Sequence, residues 1–217
     1  MKTEFRAVAR SWKTRLLNVI LRFTSLETRG VFFSRGSRVR AGLTHVGSGT
    51  RFNGRVIIKG QGSCEIGRYC AFGEEVRIIT SNHSYDLITS QLALLKMLGV
   101  TNQRAINDKN DVQVGNDVWV GDDAKLLPGA RIGDGAIIGA GAVVSGEIPC
   151  YAIAVGVPAR VIKNRFSDDV SAKLIASAWW QHGACELSAL SFDFNQRIDA
   201  NSINLLVDEL ARLNADE

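Results

Sequence analysis

Among the 217 residues are three histidines, His45, His83 and His182, and four cysteines, Cys64, Cys70, Cys150 and Cys185. A neutral imidazole can take a proton from a hydroxyl or an amine while that group attacks a carbon centre. His83 is the histidine set in a dense polar run, TSNHSYD (80–86). Asn82, Ser84 and Tyr85 flank it as groups able to hold a substrate. Asp86, Glu74, Glu75 or a backbone carbonyl are the candidates to orient its second ring nitrogen. The cysteines are too few and too dispersed for a disulfide framework, and none forms a CxxC pair. Cys70 reads as a packed thiol rather than an acyl-carrying nucleophile. The histidines are too scattered for a three-histidine zinc site, so no metal is expected.

A base needs a rigid support, and the chain supplies one through a period of six. Aliphatic or aromatic anchors recur in one register at Ile66, Phe72 and Ile78, and again at Val114, Val120, Leu126, Ile132, Ile138 and Val144. Glycine follows six of these nine anchors. A small or aliphatic residue sits four further on, as in Cys70, Val76, Val118, Ala124, Ala130, Ala136 and Ala142. An earlier register covers Val46, Phe52 and Ile58, with a two-residue slip before Ile66. Six residues suit neither a helix nor a simple alternating strand, but they do suit a short strand plus a turn, repeated and stacked. The expected fold is therefore an all-β solenoid. Between Ile78 and Val114 the glycines stop following the anchors, so about 80–112 reads as an excursion loop containing a short helix near 90–99. His83 stands where the coil opens into that loop.

The ends are different in kind. Residues 1–40 hold ten Lys or Arg against Glu4 and Glu27, whereas the whole chain carries a net charge of only +4. Phe5, Val8, Trp12, Leu16, Val19 and Phe23 recur at steps of three and four, so residues 1–30 read as a basic amphipathic helix. Such a helix can dock on its own protein or lie on an anionic membrane through residues 1–25. Residues 164–217 read as helical, with a helix over 165–183 capped at Ser167 and a second over 196–213 turning Leu205, Leu206 and Leu210 to one face. Trp179 and Trp180 read as packing residues. No apolar run is long enough to span a membrane, no signal peptide is evident, and a cytoplasmic address with no nucleic-acid partner is expected.

The segments VGNDVWVGDDAKLLPGARIGDGAIIGAGAVV (114–144) and AVGVPARVIK (154–163) resemble the hexapeptide-repeat acyltransferases, over about residues 42–182. The resemblance implies a left-handed parallel β-helix over 31–163 and a homotrimer with active sites between subunits. It also implies acetyl-CoA as co-substrate and His83 as the general base. For acetyl-CoA it points to Trp119, Gly121, Ala140 and Gly141 along the pantetheine arm. Ser145, Pro158, Arg160, Lys163 and Arg165 fall at the nucleotide end. Relatives often carry Lys after the position of Ser145, where this chain has Gly146. Asn82, Ser84, Tyr85 and Asp86 are the implied acceptor contacts.

The acceptor is less defined. The xenobiotic branch of the family usually has Ser-Thr-Phe/Tyr-Pro-Phe soon after its histidine, and SYDLITSQL (84–92) lacks it. The interval from Ile78 to His83 suits the sugar O-acetyltransferase branch, although KGQGS (59–63) lacks the acid that branch often places there. A saccharide is the leading acceptor, an antibiotic or other xenobiotic the second, and an amino sugar the third. An inactive β-helix scaffold is the non-enzymatic alternative.

Overall fold

The computed structural model describes residues 4–100 and 111–215. Three stacks of parallel strands make the faces of a triangular prism. One face stacks Val31–Phe33, Arg51–Phe52, Ala71–Phe72, Trp119–Val120, Ile137–Ile138 and Ala152–Val155. The second stacks Arg38–Arg40, Val56–Lys59, Val76–Ile79, Lys125–Leu126 and Val143–Val144. The third stacks Leu43–Val46, Ser63–Ile66, Val112–Val114, Arg131–Ile132 and Glu147–Ile148. The chain visits the faces in that order and returns to the first, as a left-handed parallel β-helix does.

The six-residue period becomes three columns of register partners. Phe33, Phe52, Phe72, Val120 and Ile138 form the first, and Val39, Ile58, Ile78, Leu126 and Val144 the second. Val46, Ile66, Val114, Ile132 and Ile148 form the third. All of these side chains are buried, as are Cys70, Val76, Val118, Ala124, Ala130, Ala136 and Ala142, each four places after an anchor. Each coil thus sends one side chain inward from each face, and the neighbouring coil covers it. The aromatic rings follow the spacing of stacked strands, with centroids 4.8 Å apart for Phe33–Phe52 and 4.7 Å for Phe52–Phe72. Corners admit little. A Cβ on Gly121 would lie 2.6 Å from the backbone nitrogen of Ala140, so the glycine lets adjacent coils close up.

Both ends of the stack carry added elements. At the start, Phe5–Val8 is a strand, not part of a helix, and pairs antiparallel with Leu43–Val46. FRAV alternates buried and exposed, so the unpaired sheet edge outweighs the helical spacing of Phe5 and Val8. The helix that follows, α1, is confined to Trp12–Ile20. Its inward side is Thr14 and Leu17, continued by Leu21, and Asn18 clamps Val39 through two backbone hydrogen bonds of 2.8 Å. The apolar stripe of Trp12, Leu16, Val19 and Phe23 is exposed.

The excursion leaves after Ile79 and returns at Val112, and it carries α2 (Leu92–Met97), after which Gly99 takes a φ of +71°. Residues 101–110 of the excursion lie outside the described residues, as do 1–3 and 216–217 of the terminal segments. At the far end, Arg160–Asn164 pairs antiparallel with Ala152–Val155. Three helices follow: α3 (Asp168–Ser177), α4 (Ala184–Ser188) and α5 (Ala200–Ala215). The expected helix over 165–183 is shorter than its pattern because Ala178 turns left-handed, leaving a single tight turn at Trp179–Gln181. Leu206 and Leu210 of α5 join a second core with Tyr151 and Leu174, whereas Leu205 is exposed rather than inward.

Candidate functional site

His83 stands at the edge between the second and third faces, where the third coil opens. The root of the excursion is pinned to the preceding coil. The buried Thr80 hydroxyl lies 3.1 Å from the Gly62 carbonyl and 3.3 Å from that of Lys59, and the Ser81 hydroxyl accepts from the Gln61 amide at 3.2 Å. Two residues on, His83 Nδ1 lies 2.9 Å from the Ser90 carbonyl oxygen. A carbonyl only accepts, so Nδ1 carries the proton and Nε2 presents its lone pair. Among the described residues no hydrogen bond engages Nε2, and the side chain is exposed.

The orienting group is therefore a backbone carbonyl, which no side-chain pattern could have singled out. Of the acidic candidates, Glu74 and Glu75 are elsewhere. Glu75 is joined to Arg55 through both oxygens, at 2.6 and 2.5 Å, and that bond holds its carboxyl below the ordinary value. Glu74 lies exposed at a different prism edge, where its amide donates to Asp122. Around His83, Asn82, Tyr85 and Asp86 are exposed and Ser84 is buried. His45 is bonded to Glu4 at 2.8 Å and His182 lies in the C-terminal segment with its carbonyl on the Tyr69 hydroxyl, so neither approaches His83. Among the described residues no three His, Cys, Asp or Glu side chains cluster as metal ligands. Cys70 is buried, donates to the Gly115 carbonyl and has its thiol pushed up to about 12 by burial.

The residues that the resemblance assigns to acetyl-CoA do not all lie together. Gly121, Ala140 and Gly141 share the edge between the first and second faces on successive coils, with the Gly141 amide on the Asp122 carbonyl at 2.7 Å. A Cβ on Gly141 would meet nothing within 4 Å. Ser145, Pro158 and Arg160 are exposed at the last coils, where the segment 156–159 hydrogen-bonds across Val143. Lys163 is exposed opposite Ile153. Arg165 does not join them: its guanidinium donates to the Gly135 carbonyl at 2.6 Å and to Asp117 at 3.3 Å, and lies over the Tyr151 and Phe166 rings. It acts there as the counterion of a partly buried carboxyl, which desolvation pushes up even beside the arginine. Trp119 projects outward from the first face and is 56% exposed. That face lies across the prism from the edge that bears His83, so one chain does not bring the two together.

The sequence reading missed one set of residues. Arg10, Arg15, Arg22, Arg38, Arg40 and Lys96 line a single groove between α1, the first two coils and α2. The excess of positive charge in residues 1–40 was its visible signal.

The sequence profile of the family described as bacterial transferase hexapeptide (six repeats) matches residues 111–146, the coils directly after the excursion. No curated protein matches the chain. Among solved structures, the chain is similar to a maltose O-acetyltransferase from Clostridium difficile 630, with 25% identity over 70% of this chain and 84% of that one, at a TM-score of 0.45. It is similar to a hexapeptide-repeat-containing acetyltransferase from Vibrio cholerae O1 biovar eltor, complexed with acetyl coenzyme A, with 18% identity over 73% and 81% of the chains and a TM-score of 0.48. It is also similar to an N-acyltransferase from Bacillus cereus in complex with dTDP and coenzyme A, with 17% identity over 81% and 98% and a TM-score of 0.47.

Proposed function

We propose that the protein is an acetyl-CoA-dependent O-acetyltransferase acting on a saccharide, with His83 as general base. The observation that carries the reading is the imidazole at the open edge of a hexapeptide-repeat coil, its Nδ1 proton held by the Ser90 carbonyl and its Nε2 lone pair unengaged among the described residues. In the proposed reaction both substrates bind before transfer. Nε2 takes the proton of a sugar hydroxyl as its oxygen attacks the thioester carbon of acetyl-CoA. The tetrahedral intermediate then collapses, the carbon–sulfur bond breaks, and the imidazolium returns the proton to the leaving thiolate. A backbone N–H of a neighbouring subunit's coil would stabilise the oxyanion.

The placement of Trp119 and His83 on opposite sides of one prism supports a site shared between subunits of a homotrimer. There the pantetheine arm would run along Trp119, Gly121, Ala140 and Gly141 of one chain toward His83 of the next. Ser145, Pro158, Arg160 and Lys163 would then meet the nucleotide end. Asn82, Tyr85 and Asp86 are exposed beside the base, where an acceptor can reach them, while Ser84 would act from a buried position.

We further infer a cytoplasmic protein that touches an anionic membrane. No helix of the described residues is long and apolar enough to cross one. The exposed stripe of α1 includes Trp12 at 69%, and Phe23 just beyond its end is 75% exposed, with Lys13, Arg15 and Arg22 nearby, as surface binding requires. The test is release of free thiol from acetyl-CoA against a panel of sugars, nucleotide sugars and antibiotics. Turnover with a sugar hydroxyl supports the reading, and failure to bind acetyl-CoA refutes it.

A further inference from the structure

The groove beside the excursion is large, about 1140 Å³, and has an uneven chemistry. Its walls come from four separate elements: α1, the strand Arg38–Arg40, the turn at Gly60–Gln61, and α2. These and the residues flanking α1 contribute six cations, Arg10, Arg15, Arg22, Arg38, Arg40 and Lys96, and among the described residues no acidic residue lines the groove. Among the described residues none of the six forms an ion pair. Arg38 and Arg40 alternate around the buried Val39, so both project from the same side of the strand, and Lys59 is the register partner of Arg40. Arg10 holds a φ of +64°, a left-handed conformation that an arginine rarely adopts. Unbalanced like charges and backbone strain both oppose folding, and a bound anion would relieve the first. Beneath the charges the lining is apolar, with Val39 and Leu95 buried.

The groove is tied to His83 from both sides. Gln61 on one wall is bonded to Ser81, two residues before the histidine. Ser90, which holds the imidazole, lies two residues before α2, the opposite wall. The cations assigned to acetyl-CoA, Arg160 and Lys163, sit on the last strand, five to six rungs away from the coils at Gly60 and Val39, or roughly 24–29 Å. Co-substrate phosphate is accordingly the wrong occupant.

Resting on the acetyltransferase reading above, we infer that this groove binds a diphosphate that carries the acceptor sugar, and so delivers the sugar hydroxyl to His83. Five of the six cations are arginines, whose planar forks match phosphate oxygens in pairs. Two linked phosphates supply the multiple negative charge that six unpaired cations call for, and the volume exceeds what a sugar alone would fill. The diphosphate could belong to a lipid carrier or to a nucleotide, and the chemistry of the groove is the same for both.

The test is calorimetry on the full chain with inorganic pyrophosphate as probe, followed by uridine diphosphate glucose and by geranylgeranyl diphosphate in detergent micelles. Pyrophosphate should bind, and should weaken about tenfold or more between low and high salt. Arg38→Gln with Arg40→Gln should lose about tenfold in affinity, and Arg15→Gln with Arg22→Gln, on a different element, should do the same. Saturating coenzyme A should leave the affinity unchanged. Tighter binding of the isoprenoid than of pyrophosphate identifies a lipid carrier, and tighter binding of the nucleotide sugar identifies a soluble nucleotide-linked acceptor. The inference is overturned if pyrophosphate does not bind, if it is displaced by coenzyme A, or if both folded double variants bind it normally. It is equally overturned if the variants alter only the sedimentation of the oligomer, which would make the groove a contact between copies. Acetyl-CoA binding measured on the same samples keeps the two proposals apart, since its loss refutes the acetyltransferase and not the groove.

Discussion

Replacing His83 by asparagine separates the two things its ring does. The amide nitrogen of asparagine reaches about as far as Nδ1, so it can still donate to the Ser90 carbonyl and hold the loop, but it has no basic nitrogen to take a proton. If the ring only tied the loop together, even complete loss of that hydrogen bond would be worth about 1 kcal/mol, close to fivefold in rate, and asparagine would lose less. If Nε2 is the base, both His83→Asn and His83→Ala should cost about 10² to 10⁴ in kcat, equivalent to about 2.7–5.4 kcal/mol. The two mechanisms therefore predict effects that do not overlap. Thiol release under saturating acetyl-CoA and acceptor measures the rate, and calorimetry with acetyl-CoA alone checks that its affinity is retained. An asparagine variant within about fivefold of the parent would remove His83 from proton transfer.

The corner glycines give a second contrast. Gly141→Val meets open space and should leave unfolding little changed beyond the strain of its left-handed φ, yet raise the KM for acetyl-CoA by about tenfold or more. Gly121→Ala forces a Cβ to 2.6 Å from the Ala140 nitrogen and should lower the melting temperature instead. Equal effects in the two assays would refute the assignment of that edge to pantetheine. On α1, Trp12→Glu with Phe23→Glu changes exposed side chains and should abolish cosedimentation with phosphatidylglycerol vesicles without loss of stability. Retained association would make the stripe irrelevant to membranes. Deletion of residues 1–25 is a poorer test, because it also removes the strand Phe5–Val8 and the core residues Leu17 and Leu21. Finally, burial raises the thiol pKa of Cys64 and Cys70, so both should resist an aromatic disulfide reagent in the native protein, while the exposed Cys185 reacts. Fast labelling of Cys70 would contradict its packing.

The coil was legible because its signal is local and repeated. A six-residue step fixes which side chains turn inward before any neighbour is known, and Ile66 through Val144 behaved accordingly. His83 was singled out as the candidate base by its position at the break in that period. Other features were misread for one reason, that spacing describes a segment in isolation. Phe5 and Val8 fit a helical stripe, yet the free edge of Leu43–Val46 drew them into a strand. Arg165 follows the last coil in the chain like a phosphate ligand, but the desolvated Asp117 on an earlier coil claims it.

What the chain alone determined was a prism of stacked triangular coils, interrupted once, with a histidine at the interruption. Burial periodicity is an intrinsic property of residue order, so no tertiary information was needed to read it. The carbonyl that sets the imidazole tautomer and the four-element groove of unpaired cations were decided only in three dimensions. The groove joins residues far apart in sequence, and the tautomer depends on a main-chain carbonyl seven residues on, at Ser90; neither pairing leaves a period behind.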